Sequence, residues 1–320
     1  MSCSVNIASP SPRAALPHSW RTRAKPLLGT IVNISLPCAG SDGEAAFVEA
    51  TDFAFWRIEA IHRAMSFHEA TSDVRAIASA APGDVITVSP DTWKTLFLAA
   101  EIERESLGVF NVAIAPELVA RGLLPTPGDL PKPAAVSTLA LSIALEAGDQ
   151  IRVLQHVWID LGGIAKGYAV DAAAASLRGA GVTAGVVNAG GDLCVFGSAR
   201  HRLALRVPAA PAESVEVAEL QDLSCATSGA YFSADANSRA NLLTLCTHPA
   251  IVGNRARSMA KVASVSVIAS SCVIADALTK VVWLRGTDDP MCADLLKRHG
   301  ASVVLLDAMG VSTTVASNGN

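Results

Sequence analysis

One stretch constrains the fold of this chain more than any other: residues 157–197, VWIDLGGIAKGYAVDAAAASLRGAGVTAGVVNAGGDLCVFG. Its apolar run Val157–Ile159 predicts a buried strand, and Asp160 stands at the end of that strand. The pair Gly162-Gly163 then lets the backbone turn sharply into a helix predicted over residues 165–178. This order predicts a strand, a tight turn and a helix, with a carboxylate at the turn.

The start of this helix has the composition of an anion site. The first amides of a helix lack intrahelical partners and lie at the positive end of the helix dipole, so they favour negative charge. Lys166 adds a full positive charge within the first turn. Spacing alone fits equally a plain strand-helix-strand unit whose glycines serve only as turns. A phosphate site and simple scaffolding are therefore the two alternatives.

A second glycine corner follows the helix. A strand predicted over residues 184–188 meets the pair Gly190-Gly191, and Asp192 comes directly after it. Two Gly-Gly corners, each beside an aspartate, thus flank one helix, which favours the functional interpretation. We expect Asp192 to orient the turn and not to contact a ligand.

Composition excludes several classes of protein. The chain has 320 residues, of which 51% are hydrophobic and 17% charged, and this indicates a globular protein with a substantial core. The net charge is −4 and the basic residues are spread along the chain, so no nucleic-acid partner is expected. Polar residues interrupt every long apolar run, so no membrane span is predicted. Seven scattered cysteines without a CxxC pair indicate reduced thiols and a cytoplasmic protein.

The two ends of the chain are predicted to lie outside the folded domain. Residues 1–22 contain prolines, serines and arginines but no apolar block of a secretory signal, so they predict a poorly ordered arm. One domain is expected over residues 23–310, followed by a tail over residues 311–320.

Periodicity and capping residues predict the other elements. Helices are expected after Ser41-Asp42 to about residue 65, from Pro90 to Glu105, from Ser270 or Ser271 to about residue 284, and over 289–299. Strands are expected over 27–36, 139–145, 151–154, 202–207, 223–229, 262–269 and 302–306.

In this order the segments resemble the ApbE family, the FAD:protein FMN transferases. The resemblance runs from about Leu27 to Leu306 and is carried by an ordered set of short motifs: Gly29-Thr30, Met65-Ser66, Ser72-Asp73, Ser89-Pro90, residues 160–171, Asn188-Ala-Gly-Gly-Asp192, Ala226-Thr-Ser-Gly229, Ser271-Cys272 and Ala275-Asp-Ala-Leu278. It implies an α+β fold: a single domain of mixed, largely antiparallel sheets with outer helices and a flavin-binding cleft.

The resemblance also implies an activity. Members of this family bind FAD and Mg²⁺, cleave the pyrophosphate, and move FMN onto a Thr or Ser hydroxyl of an acceptor protein while AMP is released. Two alternatives remain open for this chain. It could be an FAD-binding protein that has lost transferase activity, or an FAD pyrophosphatase that releases FMN without labelling an acceptor.

Residue by residue, the resemblance implies two catalytic groups, Asp276 and Lys166. It implies a metal site formed by the carbonyl of Gly163, the carboxylate of Asp276 and Thr279. The residues that it implies as FAD contacts are Leu28, Met65, His68, Val109, Phe110, Asn111, Asp160 and Lys166.

The chain departs from the family pattern at several of these positions. Lys280 stands where a metal-binding Thr is usual, so Thr279 comes one position early. Asn111 replaces an Asp, His68 replaces a Tyr and Leu28 replaces a Met. The family's His-x-x-Asp-Pro segment has no clear counterpart, since its nearest match places His248 at the Asp position.

Two interpretations of Lys280 are open. It could form an i,i+4 ion pair with Asp276 on an exposed helix face, an interaction of about 0.3–0.5 kcal/mol. Alternatively, Lys280 could occupy the place of the metal and neutralise phosphate directly. For Tyr168 and Asp171 we expect packing and capping, and for Cys225 and Cys272 we expect buried, unreactive thiols.

Overall fold

The computed structural model describes residues 19–38, 43–128, 130–133, 137–229 and 262–315. The helices of this part of the chain are α1 (Glu44–Met65), α2 (Asp73–Ser79), α3 (Pro90–Glu105), α4 (Ala115–Ala120), α5 (Leu139–Ser142), α6 (Ala165–Gly179), α7 (Cys272–Arg285) and α8 (Pro290–Arg298). Its strands are β1 (Ser19–Leu27), β2 (Thr30–Cys38), β3 (Val85–Thr87), β4 (Ile143–Glu146), β5 (Gln150–Val153), β6 (Ala184–Ala189), β7 (Asp192–Gly197), β8 (His201–Val207), β9 (Ala210–Leu220), β10 (Ser224–Gly229), β11 (Val262–Ala269), β12 (Ser302–Asp307) and β13 (Ser312–Val315).

These strands form three sheets. The largest has eight strands in the order β1-β2-β6-β7-β10-β11-β12-β13, and the smaller ones are β3-β5-β4 and β8-β9. Every ladder between described strands is antiparallel. The predicted α+β class with antiparallel sheets and outer helices is therefore confirmed, without a parallel pair among the strands described.

The two faces of the large sheet bury different layers. Val32, Ile34 and Val187 point into the main core, which contains apolar residues of α1, α6 and α7. Residues of the opposite face, such as Val186 and Val195, pack in a second, smaller core with the β8-β9 hairpin. Alternating side chains of single strands thus serve both layers, as the period of two in a strand requires.

The predicted N-terminal boundary at residue 23 lies inside a strand. β1 begins at Ser19 and pairs along its whole length with β2, and the turn between them, Leu28-Gly29, has positive φ at both residues. The basic residues of β1 pair with acidic residues of α1: Arg21, which belonged to the predicted arm, pairs with Glu44, and both Arg23 and Lys25 pair with Asp52. The chain also remains structured past residue 310, since β13 pairs with β12.

The predicted strand Val157–Ile159 is buried as expected, but it is not a strand. Its chain runs beside the irregular segment 109–114, where the Asp160 N–H donates to the carbonyl of Val112 at 2.9 Å. The run is apolar because it is buried, but it is not hydrogen-bonded to a neighbouring strand. The helix and strand predicted after it are confirmed as α6 and β6. No helix in the described ranges combines the length and apolar character that a membrane span needs.

Candidate functional site

The site is built where the N-terminal turns of α6 and α7 meet. Gly167, in the first turn of α6, lies so close to α7 that a Cβ atom on it would come within 2.4 Å of the Cys272 carbonyl oxygen. Glycine is therefore required here by the approach of two backbones. The glycine after Lys166 brings the start of one helix against the other.

Each helix caps the start of the other. The N-cap residue of α6 is Ile164, which has no side-chain acceptor, and Asp276 of α7 accepts the N–H of Gly167 at 3.0 Å instead. In return, Asp171 of α6 accepts the N–H groups of Cys272 and Val273 at 2.9 and 2.8 Å. Ser271 occupies the N-cap position predicted for it, but its side chain makes no capping bond. Asp171 is thus a capping residue, as expected.

Because Asp171 is buried, the stability of the fold is expected to depend on its protonation. Burial raises the pKa of Asp171 from 3.8 to about 6, against the opposing effect of its two backbone hydrogen bonds. Between these values the folded state binds more protons than the unfolded state, so stability falls as the pH rises through this range.

The measurement is the free energy of unfolding of the wild-type protein and of Asp171→Asn at pH 4 and pH 7. The wild type should gain up to about 3 kcal/mol relative to the variant at the lower pH, the equivalent of two pKa units. A difference that stays constant with pH would show that Asp171 has an ordinary pKa.

The second glycine corner places a carboxylate against Lys166. Gly190 and Gly191 both have positive φ and form the two-residue turn between β6 and β7, a conformation that glycine adopts without strain. Asp192 follows as the first residue of β7, is 1% exposed, and accepts a hydrogen bond from Lys166 Nζ at 2.5 Å. Its other oxygen accepts the N–H of Thr227 at 3.2 Å. Asp192 therefore holds the lysine and does more than orient the turn.

Lys166 is a fixed positive charge. Burial alone lowers the pKa of Lys166, but the carboxylates of Asp192 and Asp276 outweigh this effect and raise the pKa above its usual range. The backbone amides around it are already engaged: the N–H of Ala165 binds the Leu161 carbonyl, and that of Gly167 binds Asp276. The sequence predicts that both these amides and Lys166 attract an anion. Because the amides have protein acceptors, the ammonium of Lys166 supplies the positive charge.

Every oxygen of Asp276 accepts at least one hydrogen bond. Its side chain is 1% exposed; one carboxylate oxygen accepts from Lys280 Nζ and the other from Gly167 N–H. Its main-chain carbonyl accepts from Lys280 Nζ at 3.0 Å and from the Thr279 hydroxyl at 2.7 Å. The Thr279 hydroxyl also contacts the hydroxyl of Ser228 at 2.8 Å. The i,i+4 pair between Asp276 and Lys280, one of the two interpretations of Lys280, is present, but it is not on an exposed helix face, since the two side chains are 1% and 12% exposed.

These contacts do not fit the divalent metal that the resemblance implies. Mg²⁺ needs oxygen ligands, and the carboxylate predicted to bind it carries an ammonium instead. Gly163 lies in the turn ahead of α6, but no cluster of three or more His, Cys, Asp or Glu side chains in the described ranges is arranged to hold a metal.

A cavity of about 200 Å³ opens beside Lys166. Five of the residues predicted to contact FAD line it: Leu28, Met65, His68, Asp160 and Lys166. They come from the β1-β2 turn, from the end of α1 and the residues just after it, and from the segment before α6 together with its first turn. The pKa of Asp160 lies above its usual value because the residue is buried. The N–H of Gly162 and nearby His68 offset only part of this rise. The cavity thus combines apolar walls with a carboxylate and an ammonium.

The other three predicted FAD contacts lie elsewhere. Val109, Phe110 and Asn111 are at most 2% exposed and belong to the core or its edge, not to the lining of this cavity. Asn111 donates to the Ser137 carbonyl at 2.8 Å and accepts from the Ala113 N–H at 2.7 Å. An amide satisfies both partners, whereas an aspartate would lose the donor. His248 lies outside the described residues.

A second cavity lies on the opposite face of the large sheet. It measures about 320 Å³ and is lined by Trp20, Asn33, Ser35, Val186, Asn188, Arg200 and His201. The guanidinium group of Arg200 in this lining pairs with Glu219 at 2.7 Å. Although this cavity is larger, the first one holds the fixed ammonium, so the first is the candidate site for a nucleotide.

Sequence reasoning missed the two residues that organise the site. The role of Asp192 depends on the β6-β7 turn folding back onto α6, and the role of Gly167 depends on the distance to a helix about 100 positions later. A glycine in the first turn of a helix was the one available signal for that close contact. The free thiols Cys225 and Cys272 are buried, and burial raises the pKa of each, as expected for unreactive core cysteines.

Comparison with known proteins agrees with the fold and with the order of the motifs. The model of the ApbE family matches residues 28–305. The FAD:protein FMN transferase of Vibrio cholerae serotype O1 is 25% identical over 250 residues, which cover 73% of this chain and 72% of that protein.

Solved structures share the fold at about one-fifth identity. The flavin transferase ApbE from Vibrio cholerae gives a TM-score of 0.70 at 21% identity and covers 94% of this chain and 98% of its own. The apo flavinyl transferase ApbE of Pseudomonas stutzeri gives 0.71 at 20% identity, with 95% and 98% covered. The ApbE protein from Thermotoga maritima gives 0.72 at 21% identity, with 94% and 97% covered. Since the family match spans most of its length, this chain belongs to the ApbE family.

Proposed function

We propose that this chain is an FAD:protein FMN transferase. The observation that carries the proposal is the placement of Lys166, whose ammonium lines the cavity and is held by Asp192 at 2.5 Å. An ammonium has three N–H donors, so two remain for phosphate oxygens after the bond to Asp192. Similarity to the Vibrio cholerae transferase supports the same activity.

In the proposed reaction, a Thr or Ser hydroxyl of an acceptor protein attacks the phosphorus on the FMN side of the pyrophosphate. A new P–O bond forms, the bond to the AMP phosphate breaks, and the hydroxyl proton leaves with AMP or solvent. Negative charge grows on the oxygens of the leaving phosphate. A lysine fixed before the reaction begins stabilises this charge without reorganisation, which is the main requirement of phosphoryl transfer.

The cavity walls suggest how FAD is held. Apolar Leu28 and Met65 suit a ring system, and Asp160 can accept hydrogen bonds from hydroxyl or amine groups of the nucleotide. The resemblance implies Mg²⁺ as well, but the Lys280 ammonium already pairs with the carboxylate of Asp276, so the proposed reaction has no step that passes through a metal. We place the protein in the cytoplasm, since Cys194, Cys225, Cys272 and Cys292 are free thiols.

The test is to incubate the purified protein with FAD and an extract of the cells that produce it. Nucleotides are separated by chromatography, and covalent flavin is read by fluorescence in a denaturing gel. A transferase releases AMP and labels an acceptor. Release of AMP with free FMN and no labelled protein would identify an FAD pyrophosphatase, and intact FAD bound to the protein would identify a binding protein.

A further inference from the structure

Lys280 is the cation that occupies the Asp276 carboxylate. Its ammonium contacts one carboxylate oxygen of Asp276 and also donates to the main-chain carbonyl of the same residue at 3.0 Å. The side chain is 12% exposed and that of Asp276 is 1% exposed, so the contact is largely shielded from water. A buried ammonium held by two oxygens of one residue differs from a solvated surface pair, because solvent does not compete for it.

Lys280 belongs to a compact group of four charges. Lys166 pairs with Asp192, and Lys280 pairs with Asp276. The Asp276 carboxylate also raises the pKa of Lys166. Two ammonium groups therefore face two carboxylates, and the group is neutral as it stands. A divalent cation added to it would be repelled by two fixed positive charges and would have to displace the Lys280 ammonium from the Asp276 carboxylate.

Each ammonium still has donors to offer. Lys280 uses two of its three N–H groups on Asp276, and one remains; Lys166 uses one on Asp192, and two remain. The pyrophosphate of FAD carries two negative charges and has only oxygen acceptors. Lys166 lies in the first turn of α6 and Lys280 in the third turn of α7, and both ammonium groups are close enough to Asp192 to lower the pKa of its carboxyl against the effect of burial. Two ammonium groups near one carboxylate can supply donors to one pyrophosphate.

We propose that the Lys280 ammonium replaces a divalent cation in this chain, so that FAD binds through Lys166 and Lys280 without a metal. This inference rests on the proposed function, because it concerns the same nucleotide. The ion pair with Asp276 positions the Lys280 ammonium, and the ammonium contacts phosphate. The two roles considered for Lys280, an ion pair with Asp276 and a substitute for the metal, thus occur together.

A first experiment tests the cation without FAD. Mn²⁺ binding to the purified protein is measured by electron paramagnetic resonance, with Asp276→Asn as the matched control. The wild type is expected to bind no more Mn²⁺ than this control. One tightly bound Mn²⁺ per chain that disappears in Asp276→Asn would overturn the inference, whether or not FAD binds.

A second experiment measures the Kd for FAD by quenching of flavin fluorescence, in EDTA and in excess Mg²⁺. The wild-type Kd should agree within about twofold under both conditions, whereas removal of a charged donor should cost about tenfold or more. A Kd at least about tenfold weaker in EDTA would contradict the inference.

Variants at Lys280 complete the test. Lys280→Met should weaken FAD binding about tenfold in EDTA, and Lys280→Arg, which keeps the charge, should lose much less. Since the methionine variant leaves a buried carboxylate unpaired and can fail to fold, the neutral pair Lys280→Met/Asp276→Asn serves as the second variant. Wild-type affinity of a folded neutral pair would refute a phosphate contact by Lys280. If the wild type bound no FAD at all, the proposed function would fail. The Mn²⁺ experiment would still test whether Asp276 holds a divalent cation.

Discussion

Replacing Lys166 with methionine is expected to weaken FAD binding by roughly 30- to 150-fold, the equivalent of about 2–3 kcal/mol for a hydrogen bond to a charged group. The loss should be larger in the rate of AMP release, roughly 100- to 1000-fold, because charge on the leaving phosphate grows in the transition state. The physical reason is that Lys166 provides the fixed ammonium in the lining of the cavity. Fluorescence titration gives the first quantity and nucleotide chromatography the second.

The same substitution also affects folding, and the two effects can be separated. Without Lys166, Asp192 is a buried carboxylate whose ion pair is gone, which typically costs about 3–5 kcal/mol. The double variant Lys166→Met/Asp192→Asn removes both charges and should recover most of that stability. It should not recover FAD binding, because the donor to phosphate is still absent.

A matched control is Lys297→Met. Lys297 is an exposed lysine in the last turn of α8, so its removal changes the net charge by the same amount without touching the cavity. It should bind FAD as the wild type does. If the double variant at Lys166 and Asp192 also bound FAD with wild-type affinity, the pyrophosphate would not lie at the start of α6.

Replacing Gly167 with alanine is expected to destabilise the protein by about 3 kcal/mol or more and to reduce FAD binding together with stability. The added methyl group would meet the Cys272 carbonyl oxygen at 2.4 Å and its carbon at 2.7 Å, so one helix must move. That movement also pulls Gly167 N–H away from Asp276, which it now contacts at 3.0 Å. Urea unfolding gives the change in stability.

Gly179 provides the matched control at the other end of the same helix. A Cβ atom on Gly179 would meet no atom within 4 Å, and the residue does not have the positive φ of the turn glycines. Gly179→Ala should therefore stabilise the protein by up to about 1 kcal/mol, as expected for a helical glycine that becomes alanine. Equal effects at both positions would show that helix propensity, and not the contact with α7, determines the result.

The elements that the sequence predicted well have strong local signals. α6 is an alanine-rich helix between glycine turns, and its limits were predicted within one residue. β6 and β12 are short apolar strands next to such turns. In each case the signal comes from residues within the element or directly beside it, so no information about distant parts of the chain was needed.

What the sequence could not predict involves partners far away in the chain. The first residues of β1 lack an apolar block and belong to the arm predicted over residues 1–22, and only the ion pairs of Arg21, Arg23 and Lys25 with acidic residues of α1 show that this strand packs against the domain. The Asp276–Lys280 pair has the spacing of a surface ion pair, and only the packing of α7 against α6 and β10 shows that it is buried. Asp192 likewise acquired a role when the β6-β7 turn brought it to Lys166.

The family resemblance identified the region of the site better than the detailed contacts within it. Leu28 lines the same cavity as Met65 and His68 although it comes from the β1-β2 turn, and no local pattern could have grouped it with them. Phe110 and Asn111 were assigned to the same set by position, but the neighbouring side chains and carbonyls hold them in the core.

The most direct test of the central claim is a crystal structure of the protein with bound FAD. We expect the pyrophosphate within hydrogen-bond distance of Lys166 Nζ, with the rest of the nucleotide in the cavity lined by Leu28, Met65 and Asp160. FAD in the cavity of Trp20 and Asn188 on the other face of the sheet, or FAD without contact to Lys166, would contradict the account.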